Sequence, residues 1–126
     1  MHAEPSDIRV DVKSRFHPER SKPQQEYWFF SYTVTIQNKG QESVRLLNRH
    51  WVITDATGAE REVRGAGVVG EQPVLQPGES FRYTSFCPLQ TSLGAMRGSY
   101  EMVTPTGRRF DASVAPFTLA DPLTLN

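Results

Sequence analysis

The fold is decided by one stretch in the first third of the chain, Tyr27-Trp28-Phe29-Phe30-Ser31-Tyr32-Thr33-Val34-Thr35-Ile36-Gln37. Aromatic and β-branched side chains dominate it, and these residue types favour β-strands. Successive side chains of a strand point to opposite faces. We expect the core face to carry Trp28, Phe30, Tyr32, Val34 and Ile36. Tyr27 and Phe29 then lie on the opposite face, which points to solvent.

The same alternation recurs along the chain, with turn residues such as Asn38-Lys39-Gly40 between the alternating segments. The further predicted strands are Ile8 to Val12, Val44 to Thr54, Glu60 to Arg64, Phe81 to Leu89, Ser99 to Thr104 and Arg108 to Val114. About seven short strands without a helical stretch are typical of an antiparallel two-sheet β-sandwich of the immunoglobulin or fibronectin type III kind. The sequence therefore predicts an all-β fold.

Leu46 and Leu47 are adjacent apolar residues in a strand that otherwise alternates, which predicts a β-bulge. The segment Gln90 to Gly98 is predicted as a connection. Trp51 is expected between the two sheets, and Tyr100 is expected to hydrogen-bond back to the preceding connection as a tyrosine corner. Both aromatic residues are therefore assigned to the core.

Length and charge limit the classes of protein that fit the chain. Its 126 residues suit a single domain, with an ordered core at about residues 8–119 between a polar lead and a polar tail. Fourteen basic and fourteen acidic side chains cancel, so no broad basic surface is predicted for nucleic acid or an anionic membrane. No apolar run approaches the ~20 residues of a membrane-spanning helix. The single cysteine and an N-terminus without a signal segment indicate a cytoplasmic protein.

Glycines are concentrated just past the middle, in the spacing Gly65-x-Gly67-x-x-Gly70. This spacing matches the dinucleotide-binding pattern, which requires a helix to open after the glycines. Pro73 and Pro77 follow instead, and no Gly-Lys-Ser/Thr of a P-loop is present. One interpretation is that the glycines supply positive φ where the chain crosses between two sheets.

The other interpretation of the glycines is a site for an anion. Backbone N–H groups of Gly65, Gly67 and Gly70 would form a nest, and Arg61 and Arg64 would add positive charge. Such a site would bind pyrophosphate or a nucleotide that carries it, for example ATP or diadenosine tetraphosphate.

Residues suited to catalysis or metal binding are scattered along the chain. His2, His17 and His50 show no metal-ligand spacing, so no metal and no cofactor are predicted. Cys87 at a strand end is more typical of a small buried hydrophobe than of a nucleophile paired with His50. No catalytic residue is assigned, and the chain is predicted not to be an enzyme.

Tyr27 and Phe29 are surplus aromatics if the Trp28 face is in the core. Exposed aromatic patches are typical of protein interfaces. The alternative is that the polar segment from His17 to Gln25, which contains two prolines, covers both side chains. Tyr27 and Phe29 are therefore the candidate surface for an unidentified protein partner.

The sequence closely resembles the bacterial ApaG family from about Val10 to Leu119. The resemblance rests above all on the segment Gly65-Ala66-Gly67-Val68-Val69-Gly70-Glu71-Gln72-Pro73-x-Leu75-x-Pro77-Gly78. It continues in Tyr32-x-Val34-x-Ile36-x-Asn38-x-Gly40, in the residues Leu47, Arg49, Trp51 and Ile53, in Phe81-x-Tyr83-x-Ser85 and in Gly94-x-Met96-x-Gly98-x-Tyr100-x-Met102. The long glycine segment is much more specific than a bare GxGxxG pattern.

This resemblance implies a fibronectin type III-like sandwich. It also implies relatives within F-box proteins and a DNA polymerase delta-interacting protein, where the domain looks like a protein-interaction module. The family is linked to cobalt tolerance and magnesium efflux and often neighbours a diadenosine tetraphosphate hydrolase. The resulting expectation is a non-enzymatic module that binds another protein, and the alternative is a nucleotide sensor that uses the glycines.

Overall fold

The computed structural model describes residues 3–125. They form two packed antiparallel sheets, one of three strands and one of five, which confirms the predicted all-β sandwich. The strands are β1 (Ile8–Phe16), β2 (Trp28–Asn38), β3 (Val44–Asp55), β4 (Glu60–Ala66), β5 (Val74–Leu75), β6 (Ser80–Leu89), β7 (Leu93–Val103) and β8 (Arg109–Ala120). Short 3-10 turns, each beginning with proline, lie at Pro5–Asp7, Pro18–Arg20, Pro23–Gln25 and Pro122–Leu125. Within the described range, no helix is long and apolar enough to span a bilayer.

β2 is the central strand of the smaller sheet, whose order is β1-β2-β6. Its aromatic and β-branched side chains alternate as predicted, and Phe30, Tyr32, Val34 and Ile36 are buried. Trp28 is half-buried and packs against the same cluster. β6 is an edge of this sheet, which explains how Pro88 is tolerated within it, since proline cannot donate a ladder hydrogen bond.

The larger sheet has the order β4-β3-β7-β8, and the short β5 also pairs with β3. The predicted bulge is confirmed, because the register between β3 and β7 shifts between Leu46 and Asn48. This shift returns Arg49, Trp51 and Ile53 to the inward phase. Trp51 lies in the core between the sheets, where its ring makes edge contacts with Tyr32, Tyr100 and Phe117.

The prediction of a connection from Gln90 to Gly98 is wrong, since β7 begins at Leu93. Gly94 and Gly98 resemble loop residues in the sequence, but both lie inside β7. Glycine occupies these positions because neighbouring atoms approach too closely for a side chain. A Cβ at Gly98 would lie 2.0 Å from the carbonyl oxygen of His50 and 2.9 Å from Cε3 of Trp51. The glycine thus makes room for the core tryptophan.

The tyrosine corner is also wrong in its partner. Tyr100 is fully buried, but its hydroxyl hydrogen-bonds the hydroxyl of Tyr83 rather than the backbone of the preceding connection. Burial raises the pKa of both phenols well above the usual value. The pair therefore links the two sheets as neutral hydroxyl groups.

Candidate functional site

The glycine loop, Gly65 to Gly70, lies along one edge of the larger sheet. It does not cross between the sheets as expected, because β4 before it and β5 after it both pair with β3. The crossing is made by residues 76–79, where Gly78 has a φ of 88°. The glycine loop therefore connects two pieces of the same sheet edge.

Val68 to Glu71 form a miniature hairpin at the tip of this loop. Val68 and Glu71 exchange backbone hydrogen bonds of 2.8 and 2.9 Å, and the residues between them have positive φ, 42° at Val69 and 81° at Gly70. Positive φ at both central positions is the requirement of a type I′ turn. The N–H groups of Val68 and Glu71 are thus engaged within the loop.

Gly67 and Gly65 each make room for another group. The N–H of Gly67 donates to the carbonyl of Leu47 at 2.8 Å, and a Cβ at Gly67 would lie 2.2 Å from the carbonyl oxygen of Glu71. A Cβ at Gly65 would lie 2.8 Å from Nη2 of Arg49. Nη1 of Arg49 donates to the carbonyls of Ala66 at 3.1 Å and Gly67 at 3.0 Å. The loop is therefore built around the guanidinium of Arg49, a residue to which the sequence analysis assigned no site role.

Arg61 and Arg64, the predicted cationic partners of the loop, are not brought together. Arg61 lies towards the other end of β4, opposite Ile53, and Nη2 donates to the carbonyl of Pro88 at 2.9 Å. Arg64 is exposed and pairs with Glu62 at 3.4 Å. Because side chains alternate along β4, Arg61 and Arg64 point to opposite faces.

The expectation that Phe29 is exposed is wrong: its side chain is 7% exposed. The connection between β1 and β2 covers it, as the open alternative stated. Three hydrogen bonds hold this cover: His17 N–H to the Phe29 carbonyl, Phe29 N–H to Ser21 Oγ, and Ser21 Oγ–H to the His17 carbonyl. The Arg20 guanidinium carbon lies 3.9 Å from the centre of the Phe29 ring.

Tyr27 stays at the surface, 39% exposed, with its ring 6.3 Å from the Phe29 ring, and Phe86 from β6 is 53% exposed. The Phe86 ring lies 5.4 Å from the Phe29 ring, and Arg20 lies 5.4 Å from the Phe86 ring centre. We name Tyr27, Phe86 and Arg20 the aromatic patch. Phe86 lies in the outward phase of its predicted strand, and this phase is the sequence signal that identifies it.

A cleft of about 400 Å³ continues from the patch around the end of β6. Tyr27, Ile53, Pro88 and Leu89 supply its apolar wall, and Arg61 lines it as well. The cleft lies between the edge strands of the two sheets, β4 and β6. Tyr27 and Arg61, which were predicted for different sites, thus meet in one cleft.

The described residues offer little for covalent chemistry. Burial raises the pKa of the Cys87 thiol, which keeps it protonated and a weak nucleophile. His50 hydrogen-bonds Glu62 at 2.7 Å on the outer face of the larger sheet, away from Cys87. No group of three or more metal-ligating side chains occurs in residues 3–125, and His2 lies outside the described residues.

One histidine network was missed by the sequence analysis. His17 contacts Ser31 Oγ through Nε2 at 2.7 Å and Glu19 through Nδ1 at 3.3 Å. This is the order of atoms in a Ser-His-acid triad. Ser31, however, is buried in the middle of β2 beneath the connection. The network thus fastens the connection over Phe29.

Comparison with known proteins places this chain in a family. The ApaG domain matches residues 18–104. Protein ApaG of Rhodopseudomonas palustris is 55% identical over 115 residues, which cover 91% of this chain and 88% of that protein. Protein ApaG of Acidithiobacillus ferrooxidans is 50% identical over 116 residues, covering 92% and 91%.

A solved structure agrees with this match. The crystal structure of the protein named ApaA from Bordetella pertussis superposes with a TM-score of 0.90 at 49% identity. The superposition covers 92% of this chain and 94% of that one. In sequence and in fold, the chain belongs to the ApaG family.

Proposed function

We propose that this protein is a non-enzymatic binding module that recognises another protein through the aromatic patch. The observation that carries the proposal is the 53% exposure of Phe86 and the 39% exposure of Tyr27, whose rings both contact Phe29. Aromatic and arginine side chains are enriched in protein interfaces and among the residues that dominate binding energy. The patch combines both types, with Phe86 on β6 and with Arg20 and Tyr27 on the connection between β1 and β2.

The side chain of Arg20 is preorganised for contact with a partner. Its guanidinium stacks on Phe29, so little side-chain freedom remains to be lost on binding. No carboxylate pairs with Arg20 in the described part of the chain, whereas Arg9, Arg64, Arg97 and Arg109 all have one. The partner surface should therefore bring an acidic group to Arg20 and apolar groups to Phe86 and Tyr27.

β6 suggests the form of the partner. It is the edge of the three-stranded sheet, and the unpaired backbone groups of an edge strand are a template for a further strand. An extended segment paired with β6 would run beside Phe86 and end at the cleft below Tyr27. We infer that strand addition of this kind is the recognition mode.

In this proposal, the cellular role of the protein is set by the partner that it binds. We place the module in the cytoplasm, where the Cys87 thiol stays reduced. We assign the family's association with cobalt tolerance and magnesium efflux to the protein that the module binds, rather than to a metal held by this chain.

The test uses affinity capture followed by titration of the purified partner. Phe86→Ser should weaken binding by roughly tenfold or more, because interface aromatics of this kind contribute about 2 kcal/mol. Arg82→Ser is the matched control, since Arg82 is exposed on the same face of β6. Amide hydrogen exchange should show new protection in β6. Equal binding by the two variants, or capture of no partner at all, would overturn the proposal.

A further inference from the structure

A second cavity lies between the two sheets, beneath Arg61. Its volume is about 190 Å³, far more than the ~10–15 Å³ that one water molecule occupies. We call it the arginine cavity. Its polar lining consists of Arg49, Arg61, Trp51, Tyr32, Ser85 and Cys87. No acidic residue of the described chain lines it.

The Trp51 indole N–H has no hydrogen-bond partner in the described chain, although Trp51 is only 2% exposed. Buried donors are almost always satisfied in native proteins. The ring orientation shows where this donor points. Cε3 faces Gly98 on β7, and Nε1 lies on the opposite edge of the indole, so the N–H faces the β4 side where the cavity lies.

The two arginines add positive charge without a carboxylate to balance it. Arg49 donates to the Ala66 and Gly67 carbonyls, and Arg61 to the Pro88 carbonyl and, at 3.7 Å, to Cys87 Sγ. No ion pair joins either arginine to an acidic group in residues 3–125. The charge of Arg49 is also felt in the core. Burial raises the pKa of the Tyr32 hydroxyl, and the charge of Arg49 acts in the opposite direction.

We propose that the arginine cavity binds an oxyanion, a phosphate or carboxylate group, between the guanidinium groups of Arg49 and Arg61. Guanidinium groups bind such anions by paired, charge-assisted hydrogen bonds. The Trp51 indole N–H and the Ser85 hydroxyl supply further donors. Phe86 also lines the cavity, but the site stands apart from the proposed function, since its donors require neither Arg20 nor a protein partner.

The glycine loop has a positioning role in this site. The absence of a side chain at Gly65 leaves room for the Arg49 guanidinium, and the carbonyls of Ala66 and Gly67 fix its orientation. The loop thus serves anion binding through its carbonyl groups and Arg49, instead of through its own N–H groups. Arg61 lines both the cavity and the neighbouring 400 Å³ cleft, whose lining also includes Asp55 and Glu60.

The experiment follows the two indole N–H signals of 15N-labelled protein, assigned with Trp28→Phe. Sodium phosphate, sodium acetate and sodium chloride are titrated in parallel at equal ionic strength and pH. We expect a saturable shift of the Trp51 signal with phosphate or acetate and no shift of the Trp28 signal. The anion that saturates at lower concentration identifies the group as phosphate or carboxylate.

Variants locate the binding. Arg61→Gln should weaken the phosphate or acetate titration roughly tenfold, the value of one lost hydrogen bond to a charged group. Gly65→Ala should weaken it too, because the added Cβ displaces Arg49. Arg64→Gln is the matched control on the same strand and should titrate as wild type.

Two results would overturn the site: a Trp51 shift that chloride reproduces, or an Arg61→Gln titration identical to wild type. If Arg49→Gln does not fold, Arg49→Lys retains the charge and should weaken binding less than Arg61→Gln. Arg20→Gln lies in the aromatic patch but lines neither the cavity nor the cleft, so it should weaken partner binding and leave the anion titration unchanged. Failure of the anion site and failure of the proposed protein interaction are therefore separately visible.

Discussion

The glycine loop and the aromatic patch are the two regions of this chain with unusual composition, and they differ in where their functional groups point. In the glycine loop, the N–H groups of Gly67, Val68 and Glu71 all donate to carbonyls of the protein. In the aromatic patch, Tyr27 and Phe86 remain at the surface, and Arg20 has no acidic partner in residues 3–125.

The difference separates two causes of unusual composition. Glycines at positions 65 and 67 are required by close contacts within the fold, which is a requirement of the folded chain on itself. The exposure of a phenylalanine is not required by the fold, because burying its side chain would stabilise the folded protein by about 2 kcal/mol. The glycines of the loop are therefore explained by the fold itself, whereas the exposed Phe86 ring is not, and we assign it to the proposed interaction.

Gly67→Ala should have the largest effect of the changes considered. The residue has a φ of 63°, and its new Cβ would lie 2.2 Å from the Glu71 carbonyl oxygen. We expect a loss of about 3–5 kcal/mol in the free energy of unfolding, measured by urea denaturation. Gly70→Ala is the control, because its φ of 81° is positive but nothing lies within 4 Å of the added Cβ.

Gly70→Ala should cost only the backbone strain of about 1–2 kcal/mol. Equal losses for Gly67→Ala and Gly70→Ala would show that close contact within the loop is unimportant. The glycine loop would then no longer be explained by close contacts within the fold, and its difference from the aromatic patch would have no structural basis.

Phe29→Ala and Phe86→Ala should differ in how much they lower the free energy of unfolding. Phe29 is buried beneath the connection, so its truncation should cost about 3 kcal/mol in urea denaturation. Phe86 is exposed, and its truncation should cost about 1 kcal/mol, the value of its ring contact with Phe29. A larger loss at Phe86 than at Phe29 would mean that Phe86 is required for folding rather than available to a partner.

The strands could largely be predicted because their side chains alternate by burial. β2 and the bulge in β3 were identified from apolar phase alone, and both are confirmed. β7 was partly missed because Gly94 and Gly98 resemble loop residues in the sequence. Glycine is needed at these positions because Thr54 approaches Gly94 and Trp51 approaches Gly98, and these contacts join residues distant along the chain.

The candidate sites were harder to predict for the same reason. The sequence places Tyr27 and Phe29 on one face, but it does not show that Ser21 and His17 fasten a cover over Phe29. Arg49 was named only among the residues of the family resemblance, and no role was assigned to it, because the contact between its guanidinium and the carbonyls of Ala66 and Gly67 is not visible in the sequence. Long-range contacts, and not local patterns, decide which polar groups are free.

The smallest effect is expected for nucleotides at the glycine loop. With ATP or diadenosine tetraphosphate at millimolar concentration, the amide signals of Gly65, Gly67 and Gly70 should show no saturable shift in 15N-labelled protein. The reason is that the neighbouring N–H donors are already paired with protein carbonyls, and an anion would have to replace those bonds. Inorganic phosphate should nevertheless move the Trp51 indole signal in the same sample. Saturable loop shifts that Arg61→Gln and Arg64→Gln both weaken would reverse the comparison and make the glycine loop a pyrophosphate nest.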